Sequence, residues 1–365
     1  MKVNFNQLDR GYLKYKNEYD QAAISTLESG WYILGKNGEK FEEDFSHFIG
    51  SKYCVGLNSG LDALILAFRV LGLGKGDEVI LPANTYIASV LGITENGATP
   101  IFVEPDEYYN LDADKIEERI TDKTKAILVV HLYGQVANMQ KIKNITEKHN
   151  LYLVEDCAQS HGAHYDGKIS GSWGDIGCFS FYPTKNLGAF GDSGAIVTEN
   201  KEIYEKMKML RNYGSKIKYH NEILGVNSRM DEIQAALLSV KITHYNELKE
   251  ERRYIAERYL KGINNPLIKL PRIRENSEHV WHLFVVEVTN RRKLQNYLSE
   301  NGLSTQIHYP IPPHLAEAYK YLGHRAGDFP ISEAYANSVL SLPIYDGMID
   351  EEVDYVINTI NKYED

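Results

Sequence analysis

Hydrophobic and polar positions follow two regimes along the chain. From Tyr53 to Val154, short apolar runs alternate with polar-faced segments. The runs Tyr53–Leu57, Glu78–Leu81, Thr99–Val103, Ala126–Val130 and Tyr152–Val154 are each followed by about 10–14 residues at helical spacing. This alternation predicts βαβ units around a mostly parallel sheet with helices on both faces. Ahead of it, residues 15–29 and 37–49 predict two opening helices, joined by an aromatic loop over residues 30–35. After it, Gly194–Val197 predicts one more strand, Lys201–Asn212 a helix and residues 213–228 a polar loop. Met230 to Leu260 has few breakers and predicts one long helix, apolar first and charged later, of the kind that bridges domains. Beyond Pro266 the pattern changes to a strand (Val280–Val288), a helix (Asn290–Asn301) and a closing helix (Asp350–Lys362), which predicts a compact α+β unit. The expected division is a large domain over residues 1–245 and a smaller C-terminal α+β domain over 246–365.

Composition narrows the class. Hydrophobic residues make up 43% and charged residues 25%, as in ordinary globular proteins. A net charge of −10 offers no general attraction for nucleic acid or an anionic membrane. Met1 to Lys14 is polar and mixed, with no secretory leader, and no apolar run approaches the roughly 20 residues of a membrane span. Cys54, Cys157 and Cys178 lie in or beside expected strands, which favours free buried thiols over a disulfide framework. The expectation is a cytoplasmic protein.

Candidate chemistry gathers where expected strands end, since ligands of open α/β sheets bind at the carboxyl edge. Asn58, Asn84, His131 and Asp156 fall there. Asp156 is followed, across a polar turn, by the passage GDIGCFSFYPTKNLGAFGDSGA with Lys185 at its centre. A strand-end acid and a lysine set among small and aromatic residues suit pyridoxal phosphate (PLP). The lysine can carry the cofactor as a Schiff base, and the acid can keep the pyridine nitrogen protonated. Asn58-Ser59-Gly60-Leu61 opens a helix, where backbone N–H groups suit a phosphate; the plain alternative is a capped turn. Ser180 could add a hydroxyl. The cluster Gly72-Leu73-Gly74-Lys75-Gly76-Asp77 is no nucleotide loop, because Gly76 stands where Ser or Thr is required. A metal site from Asp156, Cys157, His161 and His164 is disfavoured, since only Asp156 sits plainly at a strand end.

The ordered segments NSGLDAL, LPANTYIAS, HLYGQ, EDCAQSHGA, CFSFYPTKNLGAFGDSGA, NSRMDEIQAA and IHYPIPPH span essentially the whole chain. Together they resemble the DegT/DnrJ/EryC/StrS family of PLP-dependent nucleotide-sugar aminotransferases. The resemblance implies an aspartate-aminotransferase-like (fold type I) α/β architecture. It casts Lys185 as the Schiff-base lysine, Asp156 as the pyridine partner, Gln159 beside the 3′ oxygen and Tyr86 over the ring. Phosphate would be held by Gly60, Leu61 and Ser180, with Asn227 coming from a neighbouring subunit of a homodimer. His161, Tyr182, Tyr213, Tyr219, His308 and Tyr309 would line the substrate site. The implied reaction moves an amino group from glutamate to a dTDP-linked 3-keto-6-deoxyhexose. The alternatives are a 4-keto nucleotide sugar, a cyclitol ketone, or a non-catalytic regulator on the same fold. Leu61 stands where Thr is common, so only its backbone can serve the phosphate; Ser193 replaces a common glycine and is expected to be harmless.

Overall fold

The computed structural model describes all 365 residues. The alternating segments form one seven-stranded sheet from β1 (Tyr53–Leu57), β2 (Glu78–Pro82), β3 (Thr99–Val103), β4 (Thr124–Val130), β5 (Tyr152–Asp156), β6 (Ile176–Ser180) and β7 (Gly194–Thr198). Their spatial order is β1-β7-β6-β5-β4-β2-β3. Neighbours from β6 across to β3 pair in parallel, whereas β7 runs antiparallel to both β1 and β6. The sheet is therefore mostly parallel, as the alternation predicts.

Side chains along each strand alternate between two cores, as the period of two requires. In β4, Ala126 and Leu128 pack with Ala63, Leu64 and Val90, whereas Ile127 and Val129 pack with Ile142 on the other face. The first face is covered by α4 (Gly60–Val70) and α5 (Ile87–Thr94), with α7 (Lys201–Leu210) beside them; α6 (Met139–His149) covers part of the second. Further along the second face, Phe179 and Phe181 meet Phe41 and Phe45 of α3 (Lys36–Ile49). The chain opens with α1 (Leu8–Lys14) and α2 (Lys16–Ser29); α1 was not anticipated from the pattern.

The expected long helix over 230–260 is two helices, α8 (Glu232–Thr243) and α9 (Tyr245–Gly262). They break at His244, whose backbone leaves helical geometry while its ring stacks on Tyr15 at 3.8 Å and bonds Glu18. The β-branched pair Ile242-Thr243 just before it weakens the helix locally. The expected strand over 280–288 is shortened to β8 (Phe284–Glu287), paired antiparallel with β9 (Val339–Leu342). Its first half is diverted: the N–H groups of Val280 and Leu283 bond the carbonyls of Gly134 and Tyr133, and Trp281 adopts a φ of +50°.

Around β8 and β9 pack α9, α10 (Arg291–Glu300) and α12 (Asp350–Asn361), with Tyr259, Phe284, Leu294 and Val356 in their core. The intervening segment returns to the large sheet. Tyr319 and Phe329 join the core beneath α4, and the Glu104 carboxylate accepts from the N–H groups of Ile331 and Ser332 in α11 (Pro330–Ser338). All three cysteines are buried and free. No helix is long and apolar enough to cross a membrane.

Candidate active site

The carboxyl ends of β4, β5 and β6 open into a cleft of about 570 Å³ between the sheet edge and the segment 306–309. Asp156, the last residue of β5, lies buried at its floor. Its Oδ2 accepts from Ser89 Oγ at 2.8 Å and its Oδ1 from the Ala158 N–H at 3.1 Å. Burial pushes this carboxyl upward from the usual range, and the bonds from Ser89 and Ala158 and the charge of Lys185 oppose the push. A desolvated carboxylate of this kind is stabilised when a cationic ring nitrogen is brought against it.

Lys185 stands on the arch between β6 and β7 and enters the same cleft. Burial lowers its amine to about 8, with Asp156 acting in the opposite direction. The amine makes no hydrogen bond within the chain and is free to react. Neutral amine is thus available near physiological pH, as a nucleophile and proton carrier requires.

At one end of the cleft, Ser59 caps α4 by accepting from the Asp62 N–H at 3.1 Å. The N–H groups of Gly60 and Leu61, in the first turn, have no intrahelical acceptor and mark an anion site. Ser180 packs directly on this turn. A Cβ at residue 60 would fall 2.4 Å from Ser180 Cβ, so the close approach requires glycine. Gly194 is equally constrained, because a Cβ there would fall 2.3 Å from the Ser59 carbonyl carbon. The Ser193 hydroxyl, in contrast, is buried without a partner.

At the other end, the Gln159 side chain accepts from the Tyr133 N–H at 2.7 Å and donates to the Tyr309 hydroxyl at 3.0 Å. The rings of Tyr309 and the half-exposed Tyr86 lie 5.1 Å apart. His308 Nδ1 bonds Ser341 Oγ at 2.8 Å, and burial lowers this imidazole to about 4, so it is neutral. Tyr182 lines the rim.

Ten expected residues therefore meet in one cleft: Gly60, Leu61, Tyr86, Asp156, Gln159, Ser180, Tyr182, Lys185, His308 and Tyr309. Four do not. His161 is fully buried behind the cleft against Phe179 and Phe181, both ring nitrogens unpartnered, and burial lowers it to about 3. The left-handed turn at Gly162 and the Tyr245 hydroxyl bonded to the His161 carbonyl hold it inward, correcting its expected place in the substrate wall. Tyr213, Tyr219 and Asn227 lie outside the cleft of their own chain, around the hairpin Ser215–Ile217/His220–Asn221. Ser89, Thr85, His282 and Gln306 also line the cleft and escaped the sequence reading. Ser89 carried a signal, one helical turn after Tyr86 in LPANTYIAS; His282 and Gln306 carried none.

Asp156, Cys157, His161 and His164 do not converge on one point. The nearest group, His131, Glu155 and Cys157, is built into the fold. Glu155 accepts from His131 at 2.9 Å and from the N–H groups of Gly171, Trp173 and Gly174.

A buried acid at a strand end, a free reactive lysine and a glycine-lined anion cradle on a mostly parallel sheet define a fold type I PLP-dependent transferase. The chain belongs to the DegT/DnrJ/EryC1/StrS aminotransferase family, whose sequence model matches residues 14–361. It is 52% identical over 362 residues to the dTDP-3-amino-3,6-dideoxy-alpha-D-galactopyranose transaminase of Aneurinibacillus thermoaerophilus, covering 99% of each chain. Its structure superposes on Streptomyces venezuelae DesV in complex with a ketimine intermediate, with a TM-score of 0.97, 43% identity and full coverage of both chains. Bacillus subtilis NtdA with bound cofactor PMP gives a TM-score of 0.91 at 32% identity, over 98% of this chain and 84% of that one. The protein is a PLP-dependent aminotransferase.

Proposed function

We propose that this enzyme moves an amino group from glutamate to a nucleotide-linked keto-6-deoxyhexose, at C3 of a dTDP-3-keto-6-deoxyhexose. The observation that carries the reading is the uncharged stretch of cleft wall at residues 306–309. His308, Tyr309 and Gln306 offer hydrogen bonds without charge, which suits a sugar ring better than a second amino acid. The 52% identical relative, named for a 3-amino-3,6-dideoxyhexose, supports C3 and dTDP.

In this reading the residues divide the work. Bound PLP supplies an electron sink that makes the Cα proton of an attached amine removable. Asp156 keeps the pyridine nitrogen cationic, with Ser89 and Ala158 fixing the carboxylate. The Gly60 and Leu61 N–H groups and the Ser180 hydroxyl would hold the phosphate, Tyr86 would cover the ring and Gln159 would sit beside the 3′ oxygen. Lys185 takes the proton as a neutral amine and returns it as an ammonium, acting as general base and then general acid.

The active unit is a homodimer. Asn227 is exposed beside the hairpin, and Tyr219 and Leu224 are 85% and 94% exposed. Tyr213, Tyr219 and Asn227 then reach the partner's cleft, with Asn227 on its phosphate. The visible spectrum tests the reading. Glutamate should bleach the yellow protein, and dTDP-3-keto-6-deoxyhexose should restore the colour. Bleaching without restoration by this sugar removes the acceptor, and a protein that never turns yellow with PLP removes the whole assignment.

A further inference from the structure

His282 has no part in the scheme above, yet it lines the cleft together with Lys185 and Asp156. Its orientation is dictated by Asn186, the residue directly after the reactive lysine. The Asn186 Nδ2 donates to the Val280 carbonyl at 2.8 Å, so its Oδ1 is an acceptor, and that Oδ1 meets His282 Nδ1 at 3.0 Å. Nδ1 must carry the hydrogen. The imidazole is held well below its usual range by burial and by the charges of Lys185 and Arg252, so it stays neutral and its Nε2 has a bare lone pair. Nε2 makes no hydrogen bond within the chain. The mount is rigid: Val280 N–H bonds the Gly134 carbonyl, Leu283 N–H bonds the Tyr133 carbonyl, and Arg252 donates to the Trp281 carbonyl. An acceptor is thus fixed in the frame of the lysine arch, opening on a cleft where the lysine amine has no partner.

We propose that His282 is a positioning residue for Lys185. During the interval when the lysine is not bonded to the cofactor, Nε2 accepts one N–H of its amine and turns the amine's lone pair toward the carbon whose proton it removes. The inference rests on the aminotransferase reading. It gives His282 a role in proton transfer and none in holding cofactor or glutamate.

The test compares wild type, His282→Phe, His282→Gln and Asn186→Leu, all loaded with PLP. In a single turnover with saturating glutamate, His282→Phe should bleach about 10- to 100-fold more slowly at unchanged half-saturation, with a larger isotope effect from 2-deuterated glutamate. His282→Gln, which keeps an acceptor, should recover most of the rate. Asn186→Leu, which frees the imidazole, should show the same signature at smaller amplitude and serves if His282→Phe does not fold. A second readout needs no turnover. In the pyridoxamine form Lys185 is free, and its carbamylation by cyanate, followed by mass spectrometry against pH, should shift its midpoint down by about one unit in His282→Phe, because a lost acceptor disfavours the ammonium. A wild-type bleaching rate or a wild-type labelling midpoint in that variant overturns the proposal. Wild-type protein that glutamate does not bleach overturns the aminotransferase reading instead.

Discussion

The two halves of the cleft are built on different principles. The half proposed for the cofactor is a single edge: Asp156 and Ser180 close the paired strands β5 and β6, and Gly60, opening α4, packs against Ser180. The half proposed for the sugar is assembled from afar. Its wall comes from Gln306, His308 and Tyr309, held by contacts to Ser341, Gln159 and Tyr133. A rigid edge can hold one cofactor in one pose, whereas a composite wall can change its ligand without disturbing the chemistry. Damage to the edge should therefore affect both half-reactions, and damage to the wall only the second.

Experiments on single residues can break that division. Lys185→Ala is expected to abolish transfer, by about a thousandfold or more in both half-reactions, with an unchanged circular dichroism spectrum. Measurable turnover in that variant would sink the assignment. Asp156→Ala should lower both half-reactions about a hundredfold, followed by stopped-flow absorbance, because the ring nitrogen loses its counter-charge. Gly60→Ala forces a Cβ onto Ser180 and should weaken PLP binding by at least about tenfold in an equilibrium titration, while the glutamate half-saturation of the loaded fraction holds. Gln306→Ala should raise the sugar KM by about three- to tenfold and leave bleaching by glutamate untouched. An equal fall in both half-reactions would show that wall and edge are not separable.

The smallest effect is on stability against pH. His161, His279 and His308 are depressed by burial to about 3, 3 and 4, against 6.5 when unburied. Between pH 6.5 and 4 the unfolded chain binds protons that the folded chain refuses. Stability present above 6.5 is lost as pH falls through this window. The thermal midpoint should decline there, and less steeply in His308→Gln.

The sequence was most legible where chemistry is local in the chain. Asp156 and Gly60 declare themselves because each closes or follows an apolar run, and Lys185 because its arch is dense in small and aromatic residues. The parallel sheet follows from the same alternation. What escaped depends on distance. His244 breaks a helix through a stacking partner in α2's approach, Tyr15, which no local pattern reveals. His161 lies in a motif beside the site yet turns into the core, because Tyr245 and Gly162 fix the backbone the other way. His282 sits in a run that reads as plain strand, and its meaning depends on Asn186, nearly a hundred residues earlier.

The reversal of β7 has a consequence for how this enzyme can vary. Ser180 and Gly194 are direct partners across the β6–β7 pair, so the arch bearing Lys185 leaves and rejoins the sheet at the same edge. A parallel return would require a crossover from the far edge, with a dozen or more residues spent away from the chemistry. Here none of residues 181–193 is committed to that journey. The arch is a closed hairpin over the cleft, and its exposed positions after the lysine, Phe190 and Asp192, can be rewritten for new partners while both feet, and with them the distance from lysine to aspartate, stay where the sheet has put them.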